Sequence, residues 1–118
     1  MKLNYMTIMV RDIEKSLAFY QELAGLKLVR RFNPGIGEIA FLSNGEGETM
    51  LELIQSDRME PVETKGLILS FLAAEELSVL REKAVKLGYA PTELITGNPK
   101  PDHFKVLDPD GIMTEFGL

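Results

Sequence analysis

Two glutamates, Glu52 and Glu115, are the side chains of this sequence best suited to do chemistry together. Glu115 shares one face of an alternating run with Met113, so it is a carboxylate in an apolar context. Glu52 lies 63 positions earlier (115 − 52) in another predicted strand. Two facing carboxylates can hold a hard cation, or can act as a general acid and base because like charges raise one of their pKa values. The glutamates are therefore the candidate catalytic residues and metal ligands, and the alternative for Glu115 is an edge-strand side chain in water.

Five further side chains are candidates for lining a ligand site: Tyr5, Thr7, Met50, Met113 and His103. Tyr5 and Thr7 share one face of the first predicted strand, and the tyrosine hydroxyl could hydrogen-bond a ligand oxygen. The two methionines would give an adaptable apolar lining, although core packing is the other interpretation. His103, the only histidine, could act as an acid or base in the site or could be a surface or internally satisfied histidine.

An internal repeat relates the two glutamates. When the chain is shifted by 63 positions against itself, Glu115 falls on Glu52 and Phe104 falls on Phe41, and no gap is needed. The same shift superposes two predicted helix ends and two turn-rich segments. Each match is weak alone, but together they predict two copies of one module of about half the chain.

The predicted elements that must position these residues follow the order β-α-β-β-β in each half. Asp12 is the predicted N-cap of the first helix and Gly25 its left-handed C-terminal residue, whereas the second helix begins without a good cap. Asp108-Pro109-Asp110-Gly111 has the composition of a tight turn before the last strand. The predicted elements are a strand at 3–10, a helix from 12 to 23, strands at 26–32, 38–42, 48–54 and 67–72, a helix at 75–87, and strands at 90–95, 102–107 and 112–116. Glycine-containing loops are predicted at 33–37 and 97–101. The chain is accordingly one domain, 1–118, with module 1 at 1–55, a linker at 56–65 and module 2 at 66–118.

Composition limits the function classes. Thirteen Lys and Arg against 18 Asp and Glu give a net charge of −5, which argues against nucleic acid or an anionic membrane surface as a partner. Without cysteine there is no disulfide, no thiolate nucleophile and no cysteine metal site. The sequence also has no apolar run long enough to span a membrane. We expect a cytoplasmic protein.

The chain resembles the vicinal oxygen chelate superfamily, also called the glyoxalase/bleomycin-resistance/dioxygenase fold, over its whole length. The resemblance rests on the segments Val10-Arg11-Asp12-Ile13-Glu14-Lys15-Ser16-Leu17-Ala18-Phe19-Tyr20, Leu23-Ala24-Gly25-Leu26, and Asp108-Pro109-Asp110-Gly111 followed by Thr114-Glu115-Phe116. It implies an α+β fold of two tandem βαβββ modules that form a half-open barrel around a cup, with the helices outside. It also implies a homodimer, and leaves open whether modules pair within one chain or between chains.

By the same resemblance, a divalent metal would sit in the cup on four positions, which are Tyr5, Glu52, Ile68 and Glu115 here. Ile68 has no donor atom, and Tyr5 would bind only as a phenolate, which is costly because its unperturbed pKa is about 10. The family's histidine is absent from both positions. This sequence therefore departs from the family's metal site.

Three outcomes are open for the two glutamates. With water, they could hold Mg²⁺ or Mn²⁺, the cations that prefer oxygen ligands. They could instead form a metal-free acid and base pair. In the third outcome a basic neighbour such as Arg30, Arg31 or Lys105 neutralises each carboxylate, and the cup is a binding pocket only.

Two main function classes follow. The first, which we favour, is a metal-free member of the family that binds a small molecule in the cup, because both histidine positions are lost. The second is a divergent metal-dependent lyase, isomerase or dioxygenase that uses Glu52 and Glu115. A purely structural dimer module is a third, minor interpretation, and the identity of the ligand is not encoded in a recognisable motif.

Overall fold

The structure, a computed structural model, describes residues 1–97 and 99–118. Asn98, which falls in the predicted loop at 97–101, lies outside the described residues. Contacts divide the chain into two units, Met1–Val62 and Glu63–Leu118, and each is described by itself. In the described part of the chain, no helix has both the length and the apolar character needed to cross a membrane.

The first unit has the predicted β-α-β-β-β order. Its sheet runs in the order β1-β4-β3-β2, with β1 parallel to β4 and the other neighbours antiparallel. The elements are β1 (Tyr5–Met9), α1 (Ile13–Ala18) continued by a π-helical turn (Phe19–Leu23), β2 (Lys27–Phe32), β3 (Glu38–Ser43) and β4 (Met50–Gln55). The central strands β3 and β4 bury Ala40, Leu42 and Leu53 completely, whereas Phe41 and Glu52 on the opposite face are only half-buried. This alternation gives the sheet a core face and a second face that carries Glu52.

The first helix begins and ends as its sequence predicts. The Asp12 carboxylate accepts hydrogen bonds from the backbone amides of Glu14 and Lys15 at 3.0 and 3.2 Å. These amides have no partner within the helix, so the carboxylate supplies one. At the other end, Gly25 has a φ of 73°, the left-handed conformation expected there.

The second unit is a three-stranded sheet packed with one helix. Its order is β5-β7-β6, with β5 parallel and β6 antiparallel to the central strand β7. The elements are β5 (Ile68–Leu72), α2 (Leu77–Lys86), β6 (His103–Leu107) and β7 (Met113–Gly117). The ring of Phe116 stacks on those of Phe71 and Phe104, with centroids 5.3 and 5.4 Å away. Phe104 and Phe116 are fully buried, so these stacked rings form part of the core of the unit.

The strand predicted at 90–95 is wrong. That segment makes a single bridge, between Ile95 and His103. The Thr92 amide donates to the Lys105 carbonyl at 2.8 Å, but the Lys105 amide donates to the Thr92 hydroxyl at 3.0 Å and not to a backbone carbonyl. Because one more residue separates the two pairing positions on this segment than on β6, the ladder is interrupted as in a bulge. The second unit therefore has β-α-β-β order, with a bridging segment where the second of its four strands was expected.

Local hydrogen bonds also explain smaller shifts of the element ends. Asp108 accepts hydrogen bonds from the amides of Asp110 and Ile112, both at 2.8 Å, so the predicted turn extends to Ile112 and β7 begins one residue late. The second helix begins at Leu77 and not at 75, and Glu76 before it makes no capping hydrogen bond. The α+β class and the order of the helices are confirmed.

Asp12→Ala should lower the free energy of unfolding by about 1 kcal/mol, because two helix amides lose their acceptor. Glu76→Ala, at the N-cap position of α2, is the matched control and should change it by less than about 0.5 kcal/mol, because no capping bond is lost there. Urea denaturation monitored by circular dichroism measures both variants. Equal losses in the two would contradict a capping role for Asp12.

Candidate functional site

Glu115 is a buried carboxylate on the central strand of the second unit. Its side chain lies opposite Ser70 of β5 and Lys105 of β6, and the residue is 5% exposed. The Ser70 hydroxyl donates a hydrogen bond to Oε2 at 3.1 Å, and the Lys100 ammonium forms a salt bridge with Oε1. A charge buried this far requires such partners, and Lys100 supplies the opposite charge.

The hydrogen bond from Lys100 lowers the pKa of Glu115 below its ordinary value, against the effect of burial, which raises it. The Ser70 hydrogen bond and the charges of Lys100 and His103 act in the same direction as the first contact. Glu115 is consequently held as a carboxylate at neutral pH. This differs from an acid and base pair in which one carboxyl group has a raised pKa.

His103 is brought next to Glu115 and is buried, at 5% exposure. Its Nδ1 lies 2.8 Å from the carbonyl oxygen of Pro101, and because a carbonyl only accepts, Nδ1 carries the proton of this bond. Its Nε2 lies 3.8 Å from Oε1 of Glu115, which is longer than a hydrogen bond. The sequence left open a surface position for His103, and the structure places it in the interior beside the candidate carboxylate.

A hollow of about 310 Å³ opens onto this group of side chains. Its lining includes Ser70, Leu72, Lys100, His103 and Glu115. The volume lies at the lower end of the range for ligand sites, roughly 300–1,000 Å³. It has room for a small polar group beside the ion pair.

Glu52 occupies the matching position of the first unit, with different partners. It lies in register with Thr7 of β1 and Phe41 of β3 and is half-buried. The Thr7 hydroxyl donates to Oε1 at 2.5 Å. Within this unit, no described basic side chain forms a salt bridge with Glu52. Its charge is supported by one hydroxyl and by solvent.

The two carboxylates share a hydroxyl partner at the same register. Thr7 and Glu52 are 45 positions apart, as are Ser70 and Glu115, and each hydroxyl belongs to the parallel neighbouring strand. The 63-residue shift that superposes the glutamates also places Thr7 on Ser70. The repeat in the sequence therefore points to Ser70 as well, although Ser70 is not one of the family's metal-ligand positions.

The remaining predicted ligand-binding residues lie on the faces that carry the glutamates. Tyr5 is 43% exposed and its ring meets that of Phe41 edge-on, with centroids 5.5 Å apart. Met50 pairs with Tyr5, and Met113 pairs with Ile68, at the corresponding positions of the two parallel strand pairs. Both methionines are half-buried, which leaves part of each thioether side chain accessible.

The basic neighbours named from sequence do not provide the described salt bridge to Glu115. Arg31 bridges Glu14 and Glu38, and the Glu14 hydrogen bond raises the pKa of Arg31. The Arg30 guanidinium lies over the Phe32 ring, 4.2 Å from its centroid. Lys105 lies in register with Glu115, yet the salt bridge comes from Lys100. Lys100 belongs to a Pro-Lys-Pro loop without periodicity, so no sequence pattern pointed to it.

The donor set at the family's four ligand positions does not fit a divalent ion. Ile68 offers no donor, and the Glu115 carboxylate is already bound by an ammonium and a hydroxyl. Among residues 1–97 and 99–118, no three His, Asp or Glu side chains are grouped so that they could hold a metal. Divalent cations take four to eight ligands in proteins, so an ion at these positions would need most of its ligands from water.

A larger hollow, of about 760 Å³, lies at the turn end of the first sheet. Lys2, Lys27, Ser43 and Met50 are among its lining residues, and Glu52 is not. The Lys2 ammonium is bound to the carbonyl of Gly47, and both residues line this hollow. Of the residues predicted to bind a ligand, the hollow therefore includes Met50.

Comparison with known proteins places these features in a family. Residues 2–116 match the family described as the Glyoxalase/Bleomycin resistance protein/Dioxygenase superfamily. The chain is 35% identical to the uncharacterized protein YwbC of Bacillus subtilis (strain 168), over 98% of this chain and 95% of YwbC. It is 32% identical to the glutathione transferase FosA of Serratia marcescens, over 97% of this chain and 78% of FosA.

The fold recurs in TnmS3, an antibiotic binding protein from Streptomyces sp. CB03234. The two structures superpose with a TM-score of 0.77 at 21% sequence identity, over 99% of this chain and 94% of TnmS3. At this identity the likeness shows the fold alone.

Glu115→Gln should lower the free energy of unfolding at pH 7 by about 1–2 kcal/mol, because a charged hydrogen-bonded partner of Lys100 is lost. The pKa of Glu115 is lower in the folded than in the unfolded chain, so the carboxylate contributes its full stability above about pH 4.3. That contribution is lost as the pH falls through the folded-state pKa. The difference between wild type and Glu115→Gln should therefore shrink below about pH 4.3, as measured by urea denaturation from pH 7 to pH 3.

Glu93→Gln is the matched control, because Glu93 also pairs with a cation, Arg81, but its side chain is 91% exposed. It should leave the acid dependence of stability unchanged. A wild-type minus Glu115→Gln difference that stayed constant down to pH 3 would contradict the lowered pKa of Glu115.

Proposed function

The chain belongs to the Glyoxalase/Bleomycin resistance protein/Dioxygenase superfamily, and on that premise we propose that it binds a small molecule without a histidine-ligated metal ion. The observation that carries the proposal is the salt bridge between Lys100 and the buried carboxylate of Glu115. By the family resemblance, Glu115 is the position of a metal ligand, and here a lysine of the same chain meets it. The positive charge that compensates Glu115 therefore comes from a side chain of the protein and not from a bound metal ion.

The electrostatics of Glu115 support this assignment. A buried carboxylate is stable only with a nearby positive charge or with hydrogen bonds that replace water, and Lys100 and Ser70 provide both. A divalent ion at this carboxylate would have to displace the Lys100 ammonium. Lys100 would then lose its salt bridge, and because its side chain is already half exposed, it would gain little hydration to offset that loss. The native chain has no electrostatic need for a metal at this position.

The faces that carry the glutamates support ligand binding. Tyr5 is partly exposed, and Met50 and Met113 are half-buried, so an aromatic ring and two flexible thioethers remain accessible. Such side chains with a few polar groups nearby are typical of small-molecule sites. TnmS3, which has this fold, is an antibiotic binding protein, so the fold is compatible with such a role.

Protein purified without an affinity tag should contain far less than one divalent ion per chain by elemental analysis. Excess EDTA should leave its melting temperature unchanged, because Lys100 already compensates Glu115. Added Mn²⁺ or Mg²⁺ should likewise have no effect on melting. About one tightly held ion per chain, with a lower melting temperature after chelation, would contradict the proposal.

A second candidate function is an enzyme that uses Glu52 and Glu115, with Mg²⁺ or Mn²⁺ and water as its cofactor. The 32% identity to the glutathione transferase FosA favours it. Glu52 supports it as well, because this carboxylate has a hydroxyl partner and no salt bridge within the described part of its unit. A divergent lyase, isomerase or dioxygenase is the form of this alternative that the sequence suggested.

An assay of glutathione transfer to an electrophilic acceptor, with and without Mn²⁺, separates the two functions. Under the binding proposal we expect no turnover above the uncatalysed rate in wild type. Turnover that is lost in both Glu52→Gln and Glu115→Gln, but kept in the control Glu93→Gln, would favour the enzyme. Circular dichroism of each variant establishes that lost turnover does not come from unfolding.

Three expectations from the sequence stay predictions. They are the convergence of Glu52 and Glu115 on one cup, the homodimer and the cytoplasmic location. The binding proposal needs none of them, because the Lys100 salt bridge lies within one unit.

A further inference from the structure

We propose that Glu115, His103 and Ser70 form a cation site within the second unit, and that the Lys100 ammonium is its resident occupant. The inference rests on the proposed function, in which the native chain is metal-free. It goes further in assigning His103 as a latent ligand and in predicting that removal of Lys100 creates a metal site.

The candidate donors are grouped around the carboxylate of Glu115. Oε1 of Glu115 meets the Lys100 ammonium and lies 3.8 Å from Nε2 of His103. Oε2 of the same carboxylate accepts a hydrogen bond from Ser70 at 3.1 Å, which keeps a second oxygen donor at the site. An imidazole nitrogen, a hydroxyl and the Lys100 ammonium thus lie around the same buried carboxylate.

The imidazole is already oriented as a ligand. Because Nδ1–H donates to the carbonyl of Pro101, neutral His103 has its lone pair on Nε2, the nitrogen that faces Glu115. A metal-binding histidine is ordinarily held this way, with its second nitrogen donating to a carbonyl or carboxylate. The side chain of His103 is 6% exposed, so burial also restricts its rotation.

Lys100 is the one replaceable member of the group. Its side chain is 50% exposed, whereas those of Glu115 and His103 are 6% exposed. It reaches the carboxylate from the loop before β6, beside the 310 Å³ hollow. Truncation of Lys100 would leave a buried carboxylate without a cation, and the hollow has room for an ion with its water ligands.

This set differs from the one that the family resemblance predicts. Only Glu115 is common to both, since Tyr5, Glu52 and Ile68 are not involved. Every donor of the new site lies in the second unit. The site of the Lys100 variant should therefore prefer Ni²⁺ or Zn²⁺ to Mg²⁺, because one of its donors is an imidazole nitrogen.

The test is a titration of Lys100→Met with Ni²⁺ and with Mg²⁺, by calorimetry and by thermal melting. We expect Lys100→Met to bind Ni²⁺ at least about tenfold more tightly than wild type and to melt at a higher temperature with Ni²⁺. Lys83→Met is the matched control, because it removes a lysine from the exposed pair with Glu75 and leaves no buried carboxylate. It should bind Ni²⁺ as wild type does.

Double variants assign the ligands. Adding His103→Gln to Lys100→Met should remove most of the gained Ni²⁺ affinity, and adding Glu115→Gln should remove all of it. If Lys100→Met does not fold alone, Lys100→Gln keeps a polar group of similar length and is titrated in its place. Refolding of Lys100→Met by Ni²⁺ but not by Mg²⁺ also supports the site.

A folded Lys100→Met or Lys100→Gln that binds Ni²⁺ no more tightly than Lys83→Met would overturn the proposal. So would a gain that persists unchanged when His103 is replaced by Gln. Neither result alters the metal content of the wild-type chain, so the metal-free function would stand. Conversely, a divalent ion in purified wild type would count against that function before any variant is made.

Discussion

The second unit depends on the compensation of one buried negative charge. Glu115 lies on the central strand of a three-stranded sheet, where both flanks are occupied by neighbouring strands and little water reaches the carboxylate. Each adjoining element therefore contributes to its support: β5 brings Ser70, β6 brings His103, and the loop before β6 brings Lys100. The Lys100 ammonium supplies the full opposite charge in this arrangement, which the Ser70 hydroxyl cannot supply. Because Lys100 reaches Glu115 from an irregular loop, the position of that loop affects the protonation of Glu115, and the Lys100 hydrogen bond lowers the pKa of Glu115.

The first unit shows what the same position becomes without a lysine. Like Glu115, Glu52 lies in register with a hydroxyl residue of the neighbouring parallel strand, here Thr7, and accepts a hydrogen bond from it. It has no described salt bridge within its unit, and it is half-buried. Solvent takes the role that Lys100 has in the second unit. Partial exposure and charge balance are thus alternative solutions to one problem, since a carboxylate must have either water or a cation. The two glutamates, alike in sequence, consequently differ in how their charge is supported: Glu115 has the Lys100 salt bridge, whereas Glu52 has the Thr7 hydroxyl and partial exposure.

The parts of the fold that local chemistry determines could be predicted from the sequence. Asp12 caps its helix, Gly25 ends it in the left-handed conformation, and Asp108 organises the turn before β7, as their residue types indicate. The alternating pattern likewise placed Glu115 on the same strand face as Met113, and the repeat placed Glu52 at the corresponding position of another strand. The segment at 90–95 was wrongly predicted to be a strand, because its pairing with β6 is limited to one bridge and depends on a tertiary contact of the Thr92 hydroxyl. Lys100 could not be found for a similar reason, since a loop lysine has no periodicity and its partner is 15 residues away in sequence. Ser70 could have been found, because the repeat that relates the glutamates also relates it to Thr7.

A tethered ammonium and a divalent ion confer different chemistry on a carboxylate. The ammonium carries one charge, donates hydrogen bonds and presents no vacant coordination position, whereas a divalent ion can polarise an oxygen bound to it. A chain that pairs a lysine with the carboxylate at a family ligand position therefore keeps the structural benefit of the cation, which is stabilisation of the buried carboxylate. It does not obtain a Lewis acid from that lysine. Under the proposed function, a small-molecule ligand would be recognised by hydrogen bonds and by contacts with the aromatic and thioether side chains. The Lys100–Glu115 pair therefore supports the proposed binding function, and the buried His103 beside it is the reason to expect a metal site when the lysine is removed.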